Sequence, residues 1–159
     1  MPKKIKTNAL RQLDQFHISY DVYTYSAEDG QIGGISVAEK IGQETASVYK
    51  TLITHAGQEL FVFVIPVAAE LDLKKASQTA GVKKLELLPV KELLSRTGYI
   101  RGGCSPVGMK KSLPTVCDSS ASELDDIIVS AGQIGQQMKL SVDNLLKVTD
   151  GRLMDVIRR

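Results

Sequence analysis

Three strand candidates crowd the second half of this chain, and their spacing excludes the usual way of joining parallel neighbours. Residues 114–118, 126–131 and 136–140 are short, β-branched or apolar stretches divided by turns rich in serine and glycine. A parallel crossover takes a dozen or more residues, usually a helix, and none of these gaps is that long. Upstream, helical and extended patterns are interleaved. The combination predicts an α+β fold with a mixed sheet rather than a doubly wound parallel one.

The upstream half reads as follows. Thr7 or Asn8 caps a first helix whose Leu10, Leu13 and Phe16 recur at helical spacing. Residues 18–25 form a strand, and the loop 26–35, with Gly30, Gly33 and Gly34, leads to Ser36-Val37-Ala38-Glu39, a capping box for a short helix that stops at Gly42. Residues 48–54 and the apolar run 60–65 flank His55-Ala56-Gly57-Gln58-Glu59, a hairpin signal. Asp72 caps a third helix that ends at Gly81. Residues 84–87 are a short strand, Pro89 opens a fourth helix that finishes at Gly98, and Ser141 caps a last one over 142–148. No repeat, low-complexity tract or linker divides the chain, so residues 1–159 are expected to form one domain.

Composition excludes several function classes. No apolar run approaches the roughly 20 residues that span a bilayer, and the basic start Met1-Pro2-Lys3-Lys4-Ile5-Lys6 has no apolar stretch behind it, so a cytoplasmic protein with reduced cysteines is expected. Neither a membrane nor DNA is expected as a partner. The net charge of +2 does not force a nucleic-acid ligand, yet the lysines and arginines cluster: Lys3, Lys4 and Lys6; Lys74 and Lys75; Lys83 and Lys84; Lys110 and Lys111; Arg158 and Arg159. Clusters that shared a face would contact phosphates; otherwise they are solvated surface. Two histidines and two widely placed cysteines offer no metal-ligand spacing, and no P-loop or dinucleotide fingerprint is present, so no cofactor is expected.

The residues with chemical promise are few. Lys50 shares a strand face with Val48 and Leu52. A lysine among apolar neighbours is either half-buried, where its hydrogen bond to an ester or phosphate oxygen strengthens, or an edge-strand guard against aggregation. The glycine-studded run Thr97-Gly98-Tyr99-Ile100-Arg101-Gly102-Gly103-Cys104-Ser105-Pro106-Val107-Gly108 is either a plain turn or a cradle whose Gly102 and Gly103 N–H groups meet a carbonyl oxygen. Ser105 precedes a proline and sits in no Gly-x-Ser-x-Gly elbow, so it is not read as a nucleophile. A Cys–His enzyme would have to pair Cys104 or Cys117 with His17 or His55, and no pattern puts either histidine beside a thiol.

These motifs, taken in order, resemble a known family. Tyr23-Thr24-Tyr25, Val48-Tyr49-Lys50-Thr51-Leu52, Pro66-Val67-Ala68, Leu71-Asp72-Leu73-Lys74-Lys75, Thr97-Gly98-Tyr99, Gly102-Gly103-Cys104-Ser105-Pro106-Val107-Gly108, Lys110-Lys111, Leu113-Pro114-Thr115 and Val129-Ser130-Ala131-Gly132 are similar, collinearly and over nearly the whole chain, to the YbaK family of free-standing Cys-tRNA(Pro) deacylases. That family is related to the inserted editing domain of prolyl-tRNA synthetases. The resemblance implies a single α+β domain with a curved, half-barrel-like mixed sheet surrounded by helices. It implies removal of cysteine from tRNA(Pro), and to some extent from other cysteinyl-tRNAs, by attack of the substrate's own thiol on its ester. Prolyl-tRNA synthetase and aminoacylated tRNA are the implied partners. By carry-over Lys50 is the catalytic residue, while Tyr25, Gly102, Gly103, Ser105, Ser130 and Gln137 bind substrate. Where relatives often have an aspartate this chain has Gln137, and 31–34 lacks an aromatic found in some of them. Two alternatives stay open: a deacylase for a thiol-free amino acid such as alanine, using water, and a module that binds charged tRNA or a nucleotide without turnover.

Overall fold

A computed structural model describes residues 6–159. Five helices are formed by Asn8–Gln15 (α1), Gly34–Lys40 (α2), Leu73–Ala80 (α3), Val90–Thr97 (α4) and Val142–Thr149 (α5) among the described residues. The strands are Asp21–Thr24 (β1), Tyr49–Ala56 (β2), Glu59–Pro66 (β3), Glu86–Leu87 (β4), Thr115–Asp118 (β5), Asp126–Gln133 (β6), Gln136–Ser141 (β7) and Arg152–Met154 (β8). They make an antiparallel sheet of order β1-β7-β6 and a second sheet of order β4-β2-β3-β5-β8. In the second, β4-β2-β3 is antiparallel and β3-β5-β8 parallel, so it is mixed as expected. An isolated parallel bridge between Val48 and Ile128 joins the two sheets into one curved, unclosed surface.

The apolar run in β3 explains where the core sits. Val62 and Val64 face a large cluster that includes Leu10 and Leu13 of α1, Ile127 and Val129 of β6, and Leu145 of α5, whereas Phe61, Phe63 and Ile65 face a second cluster with Leu71, Leu85, Val116 and Val156. A strand buried on both faces needs a continuous apolar sequence, which β3 has. The turn joining β2 to β3 is tighter than the five residues 55–59, since pairing runs on to Ala56 and Glu59. Gly57, at φ 60, takes the left-handed conformation that the turn requires.

Caps set most helix ends. The Asp72 carboxylate accepts from the N–H groups of Lys74 and Lys75, Ser141 caps α5 through Asn144 N–H, and Gly81 and Gly98 close α3 and α4 in the left-handed region. Thr7 is the first cap: its hydroxyl accepts from Leu10 N–H and donates to Ala131 O, tying α1 to β6. The capping box at Ser36 is corrected. The second helix starts three residues earlier, with Gly33 rather than Ser36 as its N-cap, and Ser36 Oγ donates to Gln31 Oε1. A side chain at Gly34 would collide with Val67, so the glycine allows α2 to rest on the end of β3. The strand expected over 18–25 pairs only at Asp21–Thr24, and that over 84–87 only at Glu86–Leu87. The terminal strand β8 escaped the sequence reading altogether.

Some members of the basic clusters are held in ion pairs. Lys6 meets Asp14, Lys75 and Arg159 meet Asp155, Lys84 meets Glu86, and Arg158 meets Glu70. Lys3 and Lys4 lie outside the described residues. Among the described residues no helix is long and apolar enough to cross a membrane.

One buried carboxylate fastens the end of the chain. Asp118, fully buried at the end of β5, accepts from Ser120 N–H at 3.0 Å and from Val156 N–H at 3.0 Å. Replacing it by alanine leaves the buried Val156 N–H and the partly buried Ser120 N–H without an acceptor. Asp118→Ala is expected to lose about 2–4 kcal/mol in chemical denaturation, read as a lower midpoint at unchanged slope.

Candidate functional site

The sheets diverge beside the Val48–Ile128 bridge, and a cavity of about 600 Å3 opens there. Residues 48–52 of the β2 segment form one wall, Ser130 of β6 and Gln137 of β7 another, and the start of α2 with Ile32 and Gly33 a third. Arg101, Gly102 and Cys104, from the loop after α4, complete it. Its size falls in the range of about 300–1,000 Å3 usual for small-ligand sites.

Strand pairing holds the polar residues in place. Ser130 and Gln137 are direct cross-strand partners, and the β6–β7 register shifts immediately beyond them, at a bulge spanning Ser130 to Gln133. Ser130 Oγ accepts from Gly132 N–H at 3.1 Å, which leaves its proton free to donate. Lys50 is half-buried, opposite Ile65 on β3. Desolvation lowers its pKa below the ordinary lysine value, and the charge of Glu70 partly opposes this. No hydrogen bond or ion pair engages its Nζ among the described residues.

The loop after α4 is a built structure rather than a slack turn. Lys110 N–H bonds to Thr97 O and closes it at the base, and Tyr99 OH donates to Val107 O across its interior. The Tyr99 ring lies on Gly132, where a Cβ would come within 3.0 Å of Cε1. At the apex, Gly102 has φ 85 and faces Ile32, while Gly103 packs on the backbone of Gln133 and Ile134. The two glycines differ in what they offer. Gly103 N–H is spent on Ile100 O at 3.0 Å, whereas no hydrogen bond engages Gly102 N–H among the described residues.

Of the residues nominated from sequence, Lys50, Gly102, Ser130 and Gln137 line the cavity. Tyr25, Gly103 and Ser105 are not among its lining residues. Ser105 is fully buried and its Oγ accepts from Val107 N–H, shaping the loop from within. Tyr25 is buried beneath the loop 26–31, with Lys40 Nζ 5.9 Å from its ring centroid. That lysine, unnoticed in the sequence, also donates to Ser26 O, Asp29 Oδ1 and Gln31 O, and its hydrogen bond holds the Asp29 carboxyl below its usual range. Lys40 is therefore the pin of the loop that carries Ile32 into the cavity.

Three buried side-chain oxygens lack a hydrogen-bond partner among the described residues: Tyr25 OH, Thr51 Oγ1 and Gln137 Oε1. Two of these belong to the cavity lining. Thr51 was missed because strand alternation assigns it to the face opposite Lys50, whereas the cavity wraps around the first half of β2. A second cavity of about 520 Å3, beside Phe61, Phe63 and Arg152, contains none of the three.

Neither cysteine is poised for chemistry. Burial pushes both thiols up to about 12, and among the described residues His17 is exposed while His55 faces Gly57 O and Glu86. No cluster of His, Cys, Asp and Glu that could hold a metal ion occurs among the described residues.

The family model described as an aminoacyl-tRNA editing domain matches residues 35–148, which takes in Lys50, the glycine loop, Ser130 and Gln137. The chain belongs to the aminoacyl-tRNA editing domain family. Within it, the chain is 42% identical over 152 residues to EbsC of Enterococcus faecalis, a proposed Cys-tRNA(Pro)/Cys-tRNA(Cys) deacylase, covering 95% of this chain and 93% of that one. It is 27% identical over 99 residues to proline–tRNA ligase of Cupriavidus necator, covering 60% of this chain but only 17% of the ligase. The fold matches a crystal structure of a proposed trans-editing enzyme for prolyl-tRNA synthetase with a TM-score of 0.83 at 22% identity, over 95% of this chain and 93% of that one.

Both thiols should resist a disulfide-exchange reagent at pH 8 in the native protein and react fully once unfolded. Because the fold raises their pKa from 9.0 to about 12, the unfolded chain releases protons in that window that the native chain keeps. Stability therefore declines as pH rises from 9 toward 12, by about 1.4 kcal/mol per unit per group, which thermal melts would register. Lys40→Met should speed amide exchange across 26–33 by about tenfold while leaving β2 and β3 protected.

Proposed function

We propose that this chain is a trans-editing aminoacyl-tRNA deacylase that removes cysteine from tRNA(Pro), with cysteinyl-tRNA(Cys) as a further substrate. The observation that carries the reading is the convergence of Lys50, Gly102, Ser130 and Gln137 in one cavity whose own thiol, Cys104, is held protonated. Such a site orients and stabilises; no histidine or carboxylate lines it to activate the Ser130 or Thr51 hydroxyl. The need for it is physical. Proline and cysteine have similar volumes, so a synthetase pocket that admits proline cannot reject cysteine by size, and a second site must clear the error.

Substrate-thiol attack fits this lining. The sulfur of the esterified cysteine attacks its own carbonyl carbon. A C–S bond forms, the C–O bond to the terminal ribose breaks, and the thiol proton passes to the departing ribose oxygen. Cysteine leaves as a thiolactone and the tRNA is released uncharged. Lys50, half-desolvated, holds the ester end of the terminal adenosine, and Gly102 N–H faces the carbonyl oxygen as it gains charge. Ser130 and Gln137 hold the aminoacyl portion. Tyr25, Gly103 and Ser105 act from behind the lining, as supports for the loops that shape it. Aminoacyl-tRNA is the direct partner, and prolyl-tRNA synthetase, whose product is being corrected, a second one.

The test is deacylation of purified Cys-tRNA(Pro), Ala-tRNA(Pro), Ser-tRNA(Pro) and Pro-tRNA(Pro). Cysteine alone should be released faster than in buffer, and equal cleavage of the serine ester, which lacks sulfur, would replace thiol attack by water. Lys50→Ala should lower kcat/KM by about 100- to 1,000-fold; full activity in that variant would remove Lys50 from the mechanism.

A further inference from the structure

The charged residues that line the cavity are Lys50 on β2 and Arg101 in the loop after α4; no carboxylate is among them. The acid whose charge reaches Lys50, Glu70, stands outside the lining, is exposed, and holds Arg158 at 3.0 Å. Facing this cationic space is Gln137, 7% exposed, on the central strand of the β1-β7-β6 sheet. Its Oε1 is buried and has no hydrogen-bond partner among the described residues.

A buried amide oxygen without a partner calls for an N–H or O–H donor. The α-nitrogen of an aminoacyl ester can supply one in two forms. As an ammonium it would bring a further positive charge beside the half-buried Lys50, where the other charged lining residue, the exposed Arg101, is also a cation and no carboxylate stands in the lining to balance it. As a neutral amine, or as the N–H of an amide, it donates to the same oxygen and adds no charge. A carboxylate at this position would reverse the preference, whereas a carboxamide accepts from either form and brings no charge to balance an ammonium.

We propose that the cavity reads the α-nitrogen as a neutral hydrogen-bond donor, with Gln137 Oε1 as its acceptor, so that N-acylaminoacyl-tRNA is a second substrate class beside free aminoacyl-tRNA. The inference rests on the deacylase reading above and adds which ester it accepts. A cavity of about 600 Å3 leaves room for a small acyl group. The bond changes are the same for both classes: C–S forms, the ester C–O breaks, the thiol proton goes to the ribose oxygen, and the N-acyl group is untouched.

The experiment compares Cys-tRNA(Pro) with N-acetyl-Cys-tRNA(Pro), its thiol free, using the full chain. The acetylated ester should be cleaved within about tenfold of the rate of the free one, and Gln137→Glu should shift the ratio of the two rates by at least about tenfold toward the free amine. An acetylated ester cleaved more than about a hundredfold more slowly, or a ratio unmoved in Gln137→Glu, overturns the proposal. Competition by non-cleavable 3′-cysteinylamino-adenosine, with and without N-acetyl, reads the same preference without turnover. If neither ester is cleaved, the deacylase reading falls and the substrate claim with it, and the analogue pair still decides how the α-nitrogen is read: retained binding of the acetylated analogue upholds Gln137 as acceptor from a neutral donor, and loss beyond about a hundredfold sinks it.

Discussion

The Val48–Ile128 bridge is the contact on which the site depends. Val48 and Ile128 are each 1% exposed and pack with Ala38 and Val67 in a small cluster of their own. Val67 N–H also bonds to Val48 O, so the end of β3 is held at the same point. Here a sheet built from the β2–β3 hairpin, antiparallel β4 and parallel β5 and β8 meets a sheet built from the β6–β7 hairpin and β1. Because they touch along one bridge and then part, the gap beside it has a wall from each. Lys50 follows Val48 by two residues and Ser130 follows Ile128 by two, so the same contact that joins the sheets sets these two side chains across one cavity.

Much of this was legible because it is local. Asp72, Gly81, Gly98 and Ser141 each fix a helix end through their own backbone or nearest neighbours, and the doubly buried β3 announces itself as an uninterrupted apolar run. What was not legible depends on residues far apart in sequence. The strand β8 has one half-buried and two exposed residues and exists because β5 offers it a parallel edge. The start of α2 is set by Gly34 fitting over Val67, against the local preference for a cap at Ser36. Lys50 and the glycine loop stood out as chemistry-bearing residues, yet Lys40 and Thr51 did not. Their roles come from a loop folded back over a helix and from a cavity that curls around a strand, and neither leaves a periodic trace.

The glycine loop shows how a motif divides its work once folded. Its length invites a reading as one flexible cradle, but Thr97, Tyr99, Ser105 and Val107 bond among themselves and with Lys110 to make a rigid body. Gly103 serves packing, since a Cβ would press on the Gln133–Ile134 backbone, and its N–H is consumed within the loop. Gly102, at its positive φ, lines the cavity, and among the described residues no hydrogen bond engages its N–H. Rigidity is what makes one remaining donor useful, because a preorganised N–H needs no reorganisation when charge develops beside it.

The unpartnered oxygens of Tyr25, Thr51 and Gln137 carry the same logic into stability. Each buried polar atom left without a partner costs on the order of 1–3 kcal/mol, a substantial share of the about 5–15 kcal/mol by which a domain is stable. Elsewhere the chain avoids this cost: Asp118 meets two backbone donors, Thr54 bonds to Phe61 O, and Tyr49 shares a hydrogen bond with Ser120. The exceptions cluster on β2, on β7, and just beyond β1, around the junction of the two sheets. A sequence shaped for folding alone would place apolar atoms there. Two of these polar residues, Thr51 and Gln137, line the gap where the sheets part, and a donor that enters it can satisfy what the fold leaves without a partner.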